Sequence, residues 1–249
     1  MKITAGGVVA AEWTKFSTLR STWLTTGISV LLLIAFGAIA SASFSGGGLT
    51  SVDLALSGSV LAALSVGVLG VLLGASEYTT GMIRATLAAV PRRLPVLWSK
   101  SLVAGAAAFV TMTAGAFAAF AVGSAVLNDR VAGIGLGDEG VVRALLGAGL
   151  YLGLVAVLGV ALGVLVRSSA GAIAILAGAL LVVPGLAPLL PDSISDAITP
   201  YLPSNAGGAV MALTHTDGSL APWAGLAVFA GYVVVTLAAA AYRLKKTDA

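Results

Sequence analysis

The sequence predicts an all-α protein that crosses a membrane several times. Of its 249 residues, 59% are hydrophobic and only 9% are charged, whereas soluble globular domains carry roughly 25% charged residues. Thirteen basic and ten acidic side chains are too few to cover the surface of a soluble domain of this length. The high hydrophobicity also excludes an intrinsically disordered chain. Lipid is therefore the expected solvent for most of the surface.

Six apolar runs are long enough to cross a bilayer, which takes about 20 residues of α-helix. They cover residues 24–42, 54–75, 102–127, 141–166, 170–190 and 223–242. The first run is not expected to be a cleavable signal peptide, because a polar segment precedes it and its apolar core is too long. Residues 1–249 are therefore predicted to form a single transmembrane domain.

The distribution of charged residues indicates the orientation of these spans. When both termini are placed in the cytoplasm, eleven of the thirteen basic residues fall in inner segments. Only Arg130 and Arg143 fall outside, together with seven of the ten acidic residues. The four tryptophans lie at or beside span ends, as expected for a residue that prefers the membrane interface. This pattern supports six spans with both termini inside.

A short amphipathic helix is predicted before the first span, over about residues 6–21. Three apolar residues recur at helical spacing: Val9, Trp13 and Phe16. The charged Glu12 and Lys15 are expected on other faces. Such a helix lies on the inner leaflet, either as an anchor for the first span or with a mechanical role.

The inner segment between the second and third runs, residues 76–100, contains a second predicted amphipathic helix. Its apolar residues have helical spacing: Ile83, Leu87 and Val90. Thr80 is a candidate N-cap, and Pro91 is expected to end the helix. Two interpretations stay open, namely an interfacial helix held by arginine–lipid contacts and a docking surface for a cytoplasmic partner.

Glu77 ends the second run. A charge at the bilayer centre costs about 2.5–3.5 kcal/mol on insertion scales, and much less at the interface. Three interpretations stay open for this residue. It is a solvated residue at the span end, a contact to another subunit, or the salt-bridge partner of Arg20, Arg84 or Arg92.

The outer segment 191–222 is longer than a simple turn. Ile194, Ile198 and Tyr201 have helical spacing. Pro184 and Pro188 can break the fifth span before it. The alternatives are a short span followed by a re-entrant outer helix, and a kinked span followed by a surface loop.

The sequence predicts no catalytic or metal site in this chain. It contains no cysteine and no P-loop pattern G-x-x-x-x-G-K-[ST], so it does not bind ATP by that route. Its one histidine, His215, lies near Asp217 in the outer segment, which makes at most a weak metal site. We expect no enzymatic activity, no cofactor bound by this chain and no nucleic-acid partner.

The order of these features resembles the permease subunits of type-2 ABC exporters, and the resemblance covers the whole chain. The sharpest match runs from Glu77-Tyr78-Thr79-Thr80-Gly81 to Pro91-Arg92-Arg93. In that family an acidic residue ends the second span, a Gly follows, and a Pro with basic residues closes the segment. Many members have Gly-Thr where this chain has Gly81-Met82. The opening also resembles such members, in Glu12-Trp13-Thr14-Lys15 and Leu19-Arg20-Ser21-Thr22-Trp23.

The resemblance implies a coupling helix over about residues 81–90 that docks onto a separate ABC ATPase subunit. The implied ATPase-coupling residues are Glu77, Tyr78, Thr79, Thr80, Gly81, Met82, Ile83, Arg84, Leu87 and Val90. The N-terminal helix would be the connecting helix beside it, with Trp13, Lys15, Phe16 and Arg20 at the interface. ATP and Mg²⁺ would bind the ATPase partner.

The resemblance also implies that two permease chains, identical or different, pair in a bacterial plasma membrane. The second and fifth spans would face the dimer axis and line the substrate path, with Ser57, Ser59 and Ser65 as its main polar groups. The substrate class stays open. Two alternatives to an export permease also stay open: a membrane-embedded structural or assembly subunit, and a transporter or channel that needs no ATPase.

Overall fold

The structure is a computed structural model that describes residues 4–44, 46, 48–79, 81–82, 93–127, 134–214 and 218–246. Several residues named above lie outside the described residues: Thr80, Ile83, Arg84, Leu87, Val90, Pro91, Arg92, Arg130, His215 and Asp217. The predicted helix over 81–90 therefore stays a prediction.

The described residues fold into helices and contain no strand. In chain order the α-helices are α1 (Ala5–Thr18), α2 (Arg20–Ala42), α3 (Ser51–Ala55), α4 (Ser59–Thr79), α5 (Arg93–Leu127), α6 (Val141–Val166), α7 (Ser169–Ala177), α8 (Val183–Leu186), α9 (Asp192–Ile198), α10 (Pro203–Gly208) and α11 (Pro222–Lys246). Six helical stretches within this part of the chain are long and apolar enough to cross a membrane. The predicted all-α, multi-span fold is confirmed at this level.

Helix α6 is the centre of the bundle. In its most apolar stretch 72% of the residues are buried, against 22% in the fifth span, Ser169–Leu189. It packs against α4, α5 and α11. Its boundaries agree with the predicted fourth span, 141–166.

Glycines let α4 and α6 approach each other closely. A Cβ atom on Gly70 would overlap the backbone oxygen of Ala156, and one on Gly159 would overlap that of Gly67. Gly74 and Gly163 repeat the contact one turn further along. Close packing of this kind stabilises helix pairs in membranes, where burial of apolar surface from water supplies no driving force.

The second predicted span, 54–75, is interrupted near its start. Helix α3 ends at Ala55, residues 56–58 form a turn, and α4 begins at Ser59. Thr50 caps α3, since its Oγ1 accepts a hydrogen bond from the Asp53 amide while Asp53 Oδ2 accepts one from the Thr50 amide. Gly58 fits against α2, where a Cβ would lie 2.7 Å from the oxygen of Leu32.

The helix that contains the third predicted span begins before that span. Helix α5 starts at Arg93, whereas the apolar run starts at residue 102. Pro95 lies in its first turn, where the missing N–H has no helical partner to lose. Lys100 is consequently part of the helix and faces the bundle, where it is only 8% exposed.

The fifth span is helical but irregular. A π-helical turn, Gly178–Val182, separates α7 from α8, and a 3₁₀ turn follows at Ala187–Leu189. Pro184 lacks the amide that would bond to Leu180 in an α-helix, which accounts for the irregularity at this point. The outer segment contains α9 and α10. The alternative of a re-entrant outer helix stays open.

Helix ends that carry basic residues gather at one end of the bundle. The guanidinium of Arg167, just after α6, lies 5.0 Å from the ring centre of Tyr78 in α4. Arg243 in α11 donates a hydrogen bond to the oxygen of Leu165. Helix α1 lies at this same end, against α5. Arg143 lies at the other end, where it donates a hydrogen bond to the oxygen of Ala212 at 2.9 Å.

Candidate functional site: a buried ion cluster

Helix α1 is held against the bundle by a stripe of buried side chains. Thr4 caps the helix, and Leu19 has an extended backbone that separates α1 from α2. The buried residues follow helical spacing: Val8, Glu12 and Phe16. Phe16 packs with Leu69 of α4 and Val103 of α5. Helix α1 is therefore packed against the ends of two spans.

This burial corrects the predicted faces of the N-terminal helix. Glu12 was expected on a polar face, but it is only 6% exposed. Trp13 was expected on the apolar face, but it is 49% exposed and stacks on Phe16 with ring centres 5.9 Å apart. The buried stripe runs through Glu12 because this carboxylate has partners inside the bundle.

Four charged side chains meet at this junction, and we call them the ion cluster: Glu12, Lys15, Glu77 and Lys100. Lys15 Nζ donates hydrogen bonds to Glu12 Oε1 at 2.8 Å and to Glu77 Oε1 at 2.9 Å. Lys100 Nζ lies 3.0 Å from Glu12 Oε2 and 3.0 Å from Glu77 Oε1. Each ammonium thus bridges both carboxylates, which joins α1, α4 and α5 into one unit.

The ion cluster has no formal net charge, because two carboxylates face two ammonium groups. This balance is what permits its burial, since an unpaired charge in a medium of low dielectric constant is strongly unfavourable. Lys15 is the most accessible member, with 39% of its side chain exposed. Its partial burial acts to lower its pKa, but hydrogen bonds and attraction from Glu12 and Glu77 outweigh that effect and raise the pKa above its ordinary value.

Glu77 is a buried member of this cluster and not a solvated residue at a span end. It is 6% exposed, and its ion-pair partners among the described residues are Lys15 and Lys100. Arg84 and Arg92 lie outside the described residues, so pairing of Glu77 with them stays a prediction. Within the described part of the chain, its Oε2 atom has no hydrogen-bond partner. The carboxylate therefore retains an unused acceptor.

A cavity of about 340 Å³ lies beside the ion cluster, between α1, α4 and α5. All four charged residues line it. Phe16, Leu73 and Val103 form apolar walls, and the exposed Leu19 and Met82 lie at its rim. A second cavity of about 10 Å³, also lined by Glu77 and Lys100, is close to the lower limit for one water molecule.

The other predicted coupling residues follow Glu77 directly. Tyr78 is half-buried under Arg167, and Thr79 is the last residue of α4. Gly81 has a φ of +73°, a left-handed conformation that favours glycine just beyond a helix end. Met82 is 55% exposed. Arg20 is exposed at the first position of α2.

The three serines predicted along the path lie in different surroundings. Ser57 is exposed in the turn before α4 and donates a hydrogen bond to the oxygen of Phe36 at 3.2 Å. Ser59 is buried at the start of α4. Ser65 Oγ lies 2.7 Å from Ser29 Oγ of α2. The structure does not bring them together, and their role stays a prediction.

Sequence reasoning missed two members of the ion cluster, Glu12 and Lys100. Glu12 was assigned to a solvated face, and Lys100 was counted only as an inner positive charge. The available clue was the charge balance near three helix ends that share one side of the membrane. Pairing these residues requires knowledge of which helices touch, because Glu77 lies 62 residues from Lys15 in the chain.

No protein-family model matches the chain, and no curated protein matches it. The structure shows a helical fold with six apolar helices long enough to span a membrane. It also shows a buried ion cluster at the end of the bundle where α1 packs.

Proposed function

We propose that this chain is the transmembrane permease subunit of an ATP-driven ABC export system, which forms the substrate path and docks a separate ATPase subunit. The observation that carries the proposal is the position of the ion cluster. It ties α1 to the end of the second span and to the start of the third. Segment 80–92, which contains the proposed docking helix over about residues 81–90, connects those two helix ends.

The cluster gives this docking element a mechanical connection to the spans. Glu77 lies three residues before the segment and Lys100 lies eight residues after it. Glu77 pairs directly with Lys100, and the Lys15–Glu12 pair of α1 links the two a second time, so the end of α4 and the start of α5 cannot separate without breaking buried ion pairs. A partner that displaces the segment therefore moves two spans and α1 together, as a rigid body.

We assign ATP hydrolysis, the energy source for this movement, to the partner ATPase chain. The sequence contains no P-loop pattern, so ATP and Mg²⁺ bind the ATPase chain and this chain binds no cofactor. In the most apolar stretch of the fifth span only 22% of the residues are buried. Its exposed surface supports pairing with a second permease chain beside the substrate path. Both termini lie in the cytoplasm and the chain resides in the bacterial plasma membrane.

Site-specific crosslinking tests the proposal. Because the chain has no native cysteine, the crosslinker reacts with it only at the introduced cysteine. We place a single cysteine at Met82, an exposed residue within segment 80–92. Membranes of the native host are treated with a cysteine-directed, photoactivatable crosslinker, and the adducts are identified by mass spectrometry. The expected adduct is a protein with a P-loop. The matched control is Leu136→Cys, an equally exposed apolar residue at the opposite end of the bundle.

Three outcomes are informative. An ATPase adduct at position 82 and none at position 136 supports the proposal. Adducts with lipid alone at both positions, or with a membrane protein that lacks a nucleotide site, favour an ATPase-independent transporter or an assembly subunit. In these cases the chain is also purified from native membranes. If it comes without a stoichiometric ATPase, the proposed function is overturned.

A further inference from the structure

The cavity between α1, α4 and α5 combines apolar walls with a polar end formed by the ion cluster. Phe16, Leu73 and Val103 supply the walls, and the exposed Leu19 and Met82 lie at the rim. Its volume of about 340 Å³ is near the lower end of the range for small-molecule sites, about 300–1,000 Å³. This volume suits one alkyl chain with a polar head and is small for both chains of a phospholipid.

Lys15 is the member of the ion cluster that an occupant of this cavity meets. Its side chain is 39% exposed, whereas those of Glu12, Glu77 and Lys100 are between 7% and 9% exposed. A lysine ammonium has three N–H donors, and the bonds of Lys15 to the two carboxylates use two of them. The ion cluster therefore offers an occupant a hydrogen-bond donor and keeps its carboxylates shielded.

The charges around the ion cluster favour an anionic head. The predicted inner segments carry eleven basic and three acidic residues. The ion cluster contains two of each, which leaves nine basic residues and one acidic residue on this side. Arg20, one of the nine, directly follows Leu19 at the rim of the cavity and is exposed. Because a cleft in a positively charged region concentrates anions, an anionic head is favoured over a cationic one.

Two tryptophans place the cavity at the level of the membrane interface. Trp13 stacks on the wall residue Phe16 with ring centres 5.9 Å apart, and Trp23 meets the same ring edge-on at 6.5 Å. Both indole rings are about half-exposed. Exposed tryptophans mark the interface between hydrocarbon and water. Amphiphiles in the membrane hold their heads at this same level, beside the rim of the cavity.

We infer that this cavity binds a single-chain amphiphile whose anionic head accepts a hydrogen bond from Lys15, such as a fatty acid or a lysophosphatidic acid. The alkyl chain lies along Phe16, Leu73 and Val103. The carboxylate of a fatty acid and the phosphate of a lysophosphatidic acid share the chemistry that Lys15 recognises. The inference requires only that the chain is embedded in a membrane, so it stands independently of the proposed function.

Quenching of tryptophan fluorescence by a brominated fatty acid locates the binding. The purified, delipidated full-length chain is studied in detergent, in one version that keeps only Trp13 and one that keeps only Trp223, with the other tryptophans replaced by phenylalanine. Trp223 lies at the start of α11 and is similarly exposed, so it reports partition of the ligand into the micelle. We expect saturable quenching of Trp13, and quenching of Trp223 only in proportion to the ligand added.

A series of head groups on one dodecyl chain tests the role of the anion, by displacement of the brominated fatty acid from the version that keeps Trp13. Dodecanoate and dodecyl phosphate should both displace it, and the more effective one identifies the preferred head. Dodecanol should need about tenfold higher concentration, because a hydrogen bond between charged groups is stronger than one to a neutral acceptor. Dodecyltrimethylammonium should not displace it, and a two-chain phosphatidic acid should be weaker than dodecyl phosphate.

Substitutions in the same version tie this preference to the cavity. Lys15→Met removes the donor, so dodecanoate should become no better than dodecanol, whereas Lys15→Arg should keep the preference. Val103→Phe enlarges a wall residue and leaves all four charges in place, so it should lose saturable quenching. Lys245→Met, which removes an exposed lysine of α11, should leave binding unchanged.

The inference is overturned if dodecyltrimethylammonium displaces the fatty acid as well as dodecanoate does, or if Trp223 shows the same saturable quenching as Trp13. It is also overturned if Lys15→Met keeps the preference for an anionic head. Equal displacement by the two-chain phosphatidic acid would exclude a single-chain occupant. Circular dichroism establishes that the helices of each variant are intact. The head-group series needs no change in the ion cluster, so it tests the site even where Lys15→Met unfolds.

Discussion

Replacing Lys100, the buried lysine of the ion cluster, is expected to destabilise the chain. Lys100→Met leaves Glu12 and Glu77 with only Lys15, whose side chain is 39% exposed. Breaking a buried ion pair by removing one partner destabilises proteins by about 3–5 kcal/mol, because a charge is left uncompensated. We expect a loss in this range, measured as the free energy of unfolding in detergent micelles.

A double variant distinguishes charge balance from packing. Lys100→Met combined with Glu77→Gln leaves one carboxylate, Glu12, opposite one ammonium, Lys15. We expect it to be more stable than Lys100→Met alone. Lys246→Met, which removes an exposed lysine at the end of α11, should change stability by less than about 0.5 kcal/mol. If the losses of the two single variants simply add, the four charges do not act as a unit.

Lys15 gives the cluster a defined response to alkaline pH. Its pKa is raised above the ordinary value of 10.5, so the folded chain holds this proton more tightly than the unfolded chain. Its contribution to stability is therefore complete below the ordinary pKa and is lost as pH rises through the raised pKa. We expect the free energy of unfolding to fall above about pH 10.5.

The variant Lys15→Met should show a smaller alkaline fall than the unmodified chain. Lys245→Met removes an exposed lysine of α11 and should keep the full fall. Equal pH profiles for all three proteins would mean that Lys15 does not hold its proton through Glu12 and Glu77.

At the scale of whole elements, the contact between α4 and α6 depends on the absence of side chains. In Gly159→Ala the new methyl group would meet the backbone of Gly67 and Val71, which cannot move as a side-chain end can. Overpacking in a core costs about 1–3 kcal/mol. We expect a loss at the upper end of that range, measured by thermal unfolding.

The matched control is Gly231→Ala in α11, where a Cβ meets nothing within 4 Å. Alanine is the better helix former, so this variant should keep or slightly raise stability. A Gly159→Ala protein as stable as Gly231→Ala would show that the two helices are not in close contact.

Hydropathy predicted the elements well where a span is uniformly apolar. The fourth span, 141–166, agrees with α6 because Gly140 and Arg167 bound it on both sides with positive φ angles. The second span was wrong at its start, where hydropathy does not distinguish a buried turn from a helix. The sequence Ser57-Gly58-Ser59 was the available turn signal. Helix α5 extends before the third predicted span to Arg93, and the apolar run did not show this extension because Lys100 interrupts it.

The ion cluster was less predictable than the spans for a physical reason. Hydropathy averages over a window and so assigns an isolated charge near a span end to water. Burial of Glu12 and Lys100 depends on partners from other helices, which no local pattern reports. The sequence did predict that Glu77 and Lys15 lie on the same side of the membrane, and the structure places their charged groups 2.9 Å apart.

At the scale of the whole molecule, the charges define two unlike ends. The predicted inner segments carry eleven basic and three acidic residues, and the outer segments carry two basic and seven acidic ones. The structure gathers Lys15, Lys100, Arg167 and Arg243 around the end where α1 packs. The positive-inside rule predicts that this basic end faces the cytoplasm.

Cysteine labelling in intact cells tests this orientation, since the unmodified chain has no cysteine and provides the blank. Single cysteines are introduced at exposed positions of each end: Thr18 and Met82 at the basic end, Leu136 and Ile194 at the other. A membrane-impermeant maleimide should label positions 136 and 194 in intact cells. Positions 18 and 82 should be labelled only after the cells are permeabilised.

The four positions together make the test discriminating. The opposite labelling pattern would invert the chain and would remove segment 80–92 from reach of any cytoplasmic ATPase, so the proposed function would fail with it. Labelling of positions 18 and 82 on different sides would contradict the structure itself, because α1 and the end of α4 are joined by the ion pair between Lys15 and Glu77. Packing alone requires positions 18 and 82 to lie on the same side of the membrane. The predicted orientation and the proposed docking further require that side to be the cytoplasmic one.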